Sequence, residues 1–132
     1  MRLTELDPQF YRYERVVRKI EVVIGDPVSW KSGDPTKVVR RICHDSIPVQ
    51  TIAEAQSIWF LCPKCVDGSH HMIECTIAGR GVDDAVGSHN KAGKPTRWSI
   101  SGTDFSNLSL SPSILIEDGC NWHGFVTNGE IQ

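Results

Sequence analysis

The chain contains no apolar run of transmembrane length, and its first residues, Met1-Arg2-Leu3-Thr4-Glu5, lack the apolar core of a secretory signal. The expectation is a soluble, cytoplasmic protein without a membrane partner. Nor is there an excess of charge of one sign. Fourteen Lys and Arg stand against 16 Asp and Glu, for a net charge of −2. A protein that works chiefly through phosphate contacts is ordinarily basic, so nucleic acid is a disfavoured partner. No internal repeat and no linker divide the chain. An even cysteine set is missing as well. Five cysteines suit a reducing compartment better than a disulfide scaffold. What remains is 132 residues with 39% apolar content, enough for one domain with a modest core.

Within that ordinary composition one constellation stands out. Cys62-Pro63-Lys64-Cys65 and Cys120-Asn121-Trp122-His123 each place two residues between side chains of metal-ligand type. Such spacing lets one tight turn aim two donors at one ion. Two such turns make a four-ligand cage, and Cys and His ligands suit tetrahedral zinc. The expected zinc ligands are therefore Cys62, Cys65, Cys120 and His123. The competing reading is a disulfide or redox Cys-x-x-Cys beside an unrelated Cys-x-x-His. A thioredoxin-type motif opens a helix in a βαβ setting, whereas here a strand-like run precedes Cys62 and a polar loop follows it.

The N-terminal part mixes Phe10, Tyr11 and Tyr13 with Arg12, Arg15, Arg18 and Lys19. This pattern could stack on bases, but it fits a solvated charged face better. The β-branched content of Val16 to Ile24 favours a strand over a helix. Gly25-Asp26-Pro27 and Lys31 to Pro35 are turn signals, with a short extended piece expected from Val28 to Trp30. Val38 to Ile42 reads as a strand, with Cys43 a buried structural thiol at its end.

Ile58-Trp59-Phe60-Leu61 is a dense apolar run that suits a buried strand leading into Cys62. Asp67-Gly68-Ser69 turns the chain. His70 to Ile77 then returns, with His71, Ile73 and Cys75 on one face. Gly79 to Pro95, rich in Gly, Asp, Ser and Asn, reads as a long, exposed, mobile loop, and His89 within it as a solvated residue. Thr96 to Gly102 looks like a strand with Trp98 and Ile100 on one face. Leu108 to Ile116 has strand periodicity, and Pro112 demands an edge or a bulge. Asn128-Gly129 signals a closing hairpin.

Three cysteines and one histidine would leave zinc coordinatively closed, which argues for a structural ion. A catalytic zinc keeps a position open for water. A deaminase would need His-x-Glu ahead of Pro-Cys-x-x-Cys, and none precedes Cys62. His70 and His71 read as a surface pair, although either could replace a cysteine or act beside the metal. Ser111 and Ser113 flank Pro112. With His123 committed to metal they have no base in reach, so hydrogen bonding around a bend is their expected role.

From Trp59 onward the pattern resembles a family of small, uncharacterised, predicted metal-binding proteins of bacteria and their phages. The resemblance rests on Ile58-Trp59-Phe60-Leu61-Cys62 with Cys65, on Trp98-Ser99-Ile100, and on Leu110-Ser111-Pro112-Ser113-Ile114. It continues through Cys120-Asn121-Trp122-His123-Gly124-Phe125 and Asn128-Gly129-Glu130-Ile131. It covers roughly the C-terminal 75 residues. Members are often labelled ammonia monooxygenase, but this chain lacks a copper-type histidine cluster. Some relatives occur beside bacterial ubiquitin-like conjugation genes, which implies a protein-binding or accessory role. Others occur in phage genomes, which implies a virion component or a countermeasure to host defence. The resemblance implies zinc ligation at the same four residues.

The expected fold is mainly β, with small α+β as the alternative. It is a zinc-stabilised single domain over residues 1–132 with two zinc-knuckle-like turns. Residues 58–131 would be the zinc-binding core and residues 1–50 an N-terminal extension. The expected function is a phage or bacterial zinc-binding accessory protein that acts through a protein partner, either a virion component or a host factor. The enzyme question stays open, with the balance leaning against, and the protein would reside in the cytoplasm, the host's if phage-encoded, or in the virion. The rival readings are a zinc-dependent hydrolase using His70 or His71 with Glu74, and a nucleic-acid-binding zinc module.

Overall fold

A computed structural model describes residues 1–24, 33, 35–65, 71–117 and 120–132. The turn signals Gly25-Asp26-Pro27 and Lys31-Ser32 with Asp34, the extended piece expected from Val28 to Trp30, the turns expected at Asp67-Gly68-Ser69 and at Asp118-Gly119, and His70 lie outside these. The chain divides into two compact units, one of Met1–Tyr13 with Ser46–Gln132 and one of Glu14–Asp45.

The larger unit is mainly β, as its alternating and β-branched segments require. A 3₁₀ turn, Leu3–Leu6, buries both its leucines. One antiparallel sheet contains β1 (Gln9–Val23), β3 (Ser57–Leu61) and β4 (Met72–Thr76), and β2 (Thr36–Val49) adds to it beside β1. Phe10 pairs with Ile58, and Ile58 in turn with Cys75. The apolar residues alternate, although Ser57 and Thr76 on the other face are buried as well. Ile58, Phe60, Ile73 and Cys75 are buried, while Met72 on the opposite face is exposed.

The second antiparallel sheet runs β5 (Ser99–Ser101), β6 (Ser109–Leu115), β7 (His123–Thr127) and β8 (Glu130–Ile131). Its inward residues Leu110, Ile114 and Val126 join the same core as Ile58 and Phe60. Trp98 fastens the two sheets together. Its N–H donates to the Thr76 carbonyl at 2.9 Å, and its carbonyl accepts from the Ala78 N–H at 2.8 Å. The closing hairpin turns through Asn128 at φ 48° and Gly129 at φ 77°, the pair of left-handed residues that a tight two-residue turn needs.

Two expectations need correction. The stretch from Gly79 to Pro95 forms no named strand, but it is tied down rather than loose. The Arg97 guanidinium donates to the carbonyls of Asp83, Val86 and Ser88, and the Ser88 hydroxyl donates to the Glu74 carbonyl. Arg97 thus acts as an internal spool for the loop. Cys43 is half-buried rather than buried.

In the smaller unit, strand continues from β1 and into β2, in agreement with the β-branched reading of Val16 to Ile24 except that β1 ends at Val23. Arg18 pairs with Asp45 at 2.6 Å, an exposed contact of little energetic weight. Val17, Ile24, Val38 and Ile42 are exposed there.

Candidate active site and thiol cluster

The β3–β4 hairpin ends in a group of soft ligands. Its register pairs Leu61 with Met72, and one step further the Cys62 N–H donates to the His71 carbonyl at 3.1 Å. Cys62 and His71 therefore face each other at the mouth of the hairpin. The Cys65 N–H bonds the Cys62 carbonyl at 3.1 Å, closing a knuckle that turns both thiols the same way. Cys120 completes the set from the segment before β7.

One ligand atom from each of Cys62, Cys65, His71 and Cys120 lies within 4.8 Å of all the others. Cys62 Sγ is 3.3 Å from Cys120 Sγ, and Cys120 Sγ is 3.7 Å from His71 Nε2. Zinc–sulfur bonds of about 2.3 Å in a tetrahedron put two sulfurs roughly 3.7 Å apart, so the cluster has the dimensions of a metal cage. No disulfide joins these thiols, and all five cysteines are free. The arrangement can hold a metal ion.

Burial and the neighbouring Cys120 sulfur push the Cys62 thiol up to about 11. Cys120 moves the other way. Burial opposes ionisation, but hydrogen bonds from Cys62, the Trp122 backbone and Cys65 outweigh it and lower its pKa.

His123, the expected fourth ligand, stands elsewhere. The fourth place beside the three thiols is occupied by His71, which reads from sequence as a surface residue. The difference arises in three residues. Asn121 takes a left-handed φ of 51°, and by His123 the chain has already entered β7. Trp122 accepts a hydrogen bond from the Ile116 N–H at 2.7 Å, which locks the start of β7 onto β6. Gly124 lets the Trp122 ring lie across the strand, since a Cβ there would come within 2.5 Å of Trp122 Cζ2.

The pleat of β7 then points His123 at β6. Leu115 pairs with His123, and Ile114 with Gly124. Ser113 shares the exposed face of Leu115, as strand alternation dictates, and is the diagonal neighbour of His123. His123 Nε2 stands 3.0 Å from Ser113 Oγ. Between Leu110 and Ile114 the β6 register slips relative to β7, in the bulge that Pro112 demanded. The bulge sets the angle at which Ser113 emerges. Among the described residues no carboxylate bonds the His123 ring. Ser113 is thus hydrogen-bonded to an imidazole, where the sequence suggested a bend-stabilising hydroxyl without a base.

Ser113 also lines a cleft of about 580 Å³. It is lined by the end of β6 from Pro112 and the residues that follow to Glu117, by Trp98 and Ile73, and by Ser88 to Lys91. Glu74 lines it too, and burial raises its carboxyl above the ordinary value.

Residues 34–132 match the family described as BubE, bacterial ubiquitination-like system serine protease. The chain belongs to this family. The BubE description overturns the accessory-protein reading, since the family is named for proteolysis rather than for a zinc-mediated binding role. It agrees with the ubiquitin-like side of the resemblance and lends nothing to the phage side. No curated protein and no solved structure matches the chain. For a member of BubE, a serine hydrogen-bonded to a histidine at the edge of a cleft is the arrangement that most needs explaining. No helix of the described residues is long and apolar enough to cross a membrane.

Proposed function

We propose that the chain is a serine protease acting on a protein of a bacterial ubiquitination-like system, with Ser113 as nucleophile and His123 as its base. One observation carries the reading: Ser113 Oγ lies 3.0 Å from His123 Nε2 on an exposed sheet face, in a member of a family named for serine proteolysis. A serine hydroxyl is a weak nucleophile until an adjacent base accepts its proton. In the first step a bond forms between Ser113 Oγ and the scissile carbonyl carbon while His123 Nε2 takes the hydroxyl proton. The carbon–nitrogen bond breaks and the proton passes to the leaving amine. Water then attacks the acyl ester, His123 accepts its proton, and that proton returns to Ser113 as the carboxylic product leaves.

The thiol cluster has a separate task in this reading. Cys62, Cys65, His71 and Cys120 would hold zinc as a closed structural ion, tying the mouth of the β3–β4 hairpin to the segment that enters β7. Cys120 is three residues from His123, so this clamp fixes the start of the strand that carries the base. Ser113 and His123 lie outside the ligand set, and no catalytic step involves the metal.

The test is labelling of the purified protein with an alkyl fluorophosphonate, followed by peptide mapping. Modification at Ser113, abolished in His123→Ala, is the expected result. Labelling confined to another serine, or undiminished in His123→Ala, would remove the assignment.

A further inference from the structure

Among the described residues, no strand lies beside the edge of β6 next to Ser113. On one side β6 pairs with β7 along its length. On the other, β5 pairs only with Ser109 to Ser111, and its ladder stops at Ser99 opposite Ser111. Among the described residues no strand continues past that point, although β6 runs on to Leu115.

The direction of the β6 backbone groups follows from two bonds. The Ile116 N–H is turned toward β7, where it meets the Trp122 carbonyl. By alternation the peptide groups of Ser113 and Leu115 face the opposite side. The Trp98 indole N–H agrees, since it reaches the Ser113 carbonyl from that side at 3.4 Å. That leaves the Leu115 N–H and carbonyl directed into the cleft that Ser113 lines. An open strand edge is a template for another chain.

We propose that the substrate is an extended chain segment that binds as an added strand along Ser113 to Leu115, in the place where β5 stops short. The inference rests on the Ser113–His123 reading and names the class of substrate for that site. Three residues of strand span about 10 Å, so the segment must be free of its own secondary structure over at least that length. A tail or linker of a folded protein qualifies, and a tightly structured loop does not. Backbone hydrogen bonds supply the affinity in this mode, and alternate side chains supply selectivity. On the dyad's face those side chains meet Leu115 and Phe125, which are 55% and 50% exposed.

The experiment compares two probes on the ¹⁵N-labelled full-length protein. One is a simple alkyl fluorophosphonate. The other is a panel of tetrapeptidyl diphenyl phosphonates that differ in the residue next to phosphorus. Amide exchange is followed by NMR after each reaction. With a peptidyl probe the Leu115 amide is expected to exchange about tenfold more slowly, the scale of one net hydrogen bond. The alkyl adduct should leave Leu115 unchanged, and Ile114 and Ile116, already bonded to β7, should respond to neither. If both probes modify Ser113 without separating in Leu115 protection, strand addition is wrong while the dyad stands. Alkyl labelling with no reactive member of the peptidyl panel means the same. Failure of the alkyl fluorophosphonate to modify Ser113 removes the dyad, and this inference with it.

Discussion

Two pairs of residues in this chain have the same spacing and opposite fates. Cys62 and Cys65 stay together, because the Cys65 N–H closes back on the Cys62 carbonyl and turns both thiols to one side. Cys120 and His123 part company, because a left-handed Asn121 and the onset of β7 intervene. Two residues between ligands permit a shared ion but do not enforce one. The backbone state of the intervening residues decides, and a knuckle and a strand entry give different answers. In the second pair, Cys120 looks to the thiol cluster and His123 to Ser113.

The sharpest way to break that comparison is to exchange the two histidines' roles by mutation. Ser113→Ala and His123→Ala should each lower proteolysis of a protein substrate by about three orders of magnitude or more. Metal content should stay at the wild-type value in both. His71→Ala should do the reverse at the metal, with content falling on elemental analysis while alkyl fluorophosphonate still modifies Ser113. Loss of metal in His123→Ala, with retention in His71→Ala, would restore His123 to the ligand set.

Next in size is the clamp itself. Cys120→Ser removes one thiolate from the group that joins the β3–β4 hairpin to the approach to β7. Metal-binding free energy in such sites is folding free energy, so the melting temperature should fall by about 10 °C or more. A strong chelator should lower the wild type similarly and leave Cys120→Ser unaffected. Cys43→Ser, which alters a thiol outside the group, serves as the control and should melt within a degree or two of wild type. Equal losses in the two variants would mean that the cluster contributes no special linkage.

A smaller effect is expected at Phe125, half exposed on the dyad's face with its ring 6.2 Å from that of His123. Phe125→Ala should raise KM about fivefold with kcat little changed, the pattern of lost uniform binding worth about 1 kcal/mol. A fall in kcat at constant KM would instead make the ring a positioning residue for His123.

Much of this molecule was legible in its sequence, and the exceptions share a cause. Strands β3, β4 and β6, the bulge at Pro112 and the hairpin at Asn128-Gly129 follow from alternation and turn chemistry, which are local. So does the pairing of Cys62 with Cys65. His71 depends on register, since only the step beyond Leu61 and Met72 shows that it faces Cys62. A hairpin register carried one residue further would have found it. Ser113 with His123 depends on how β6 and β7 pair across a bulge, and a two-residue slip there decides which serine meets the ring. The order of the loop from Gly79 to Pro95 was hidden because one arginine outside it, Arg97, holds its carbonyls. A polar composition looks the same whether its backbone is solvated or bonded by a half-buried guanidinium.

The smallest expected effect concerns Glu74, which lines the cleft. Burial raises its carboxyl above the ordinary 4.5, against the lowering influence of Tyr13, Arg97 and His89. The sign follows from proton counting. In the window between 4.5 and the higher folded value, the folded state holds a proton that the unfolded state has released. Stability therefore declines as pH rises through that window, and above it the penalty is constant. Glu74→Gln removes the titration but keeps the shape. It should be more stable than wild type at about pH 7 by a degree or two in melting temperature, and the advantage should vanish at about pH 4, where both side chains are neutral. A variant less stable at the higher pH would mean that Tyr13, Arg97 and His89 favour the ionised carboxylate more strongly than burial opposes it. The same titration in proteolysis is informative. If kcat/KM of Glu74→Gln follows the wild-type pH profile, Glu74 shapes the cleft wall and takes no part in the pH dependence.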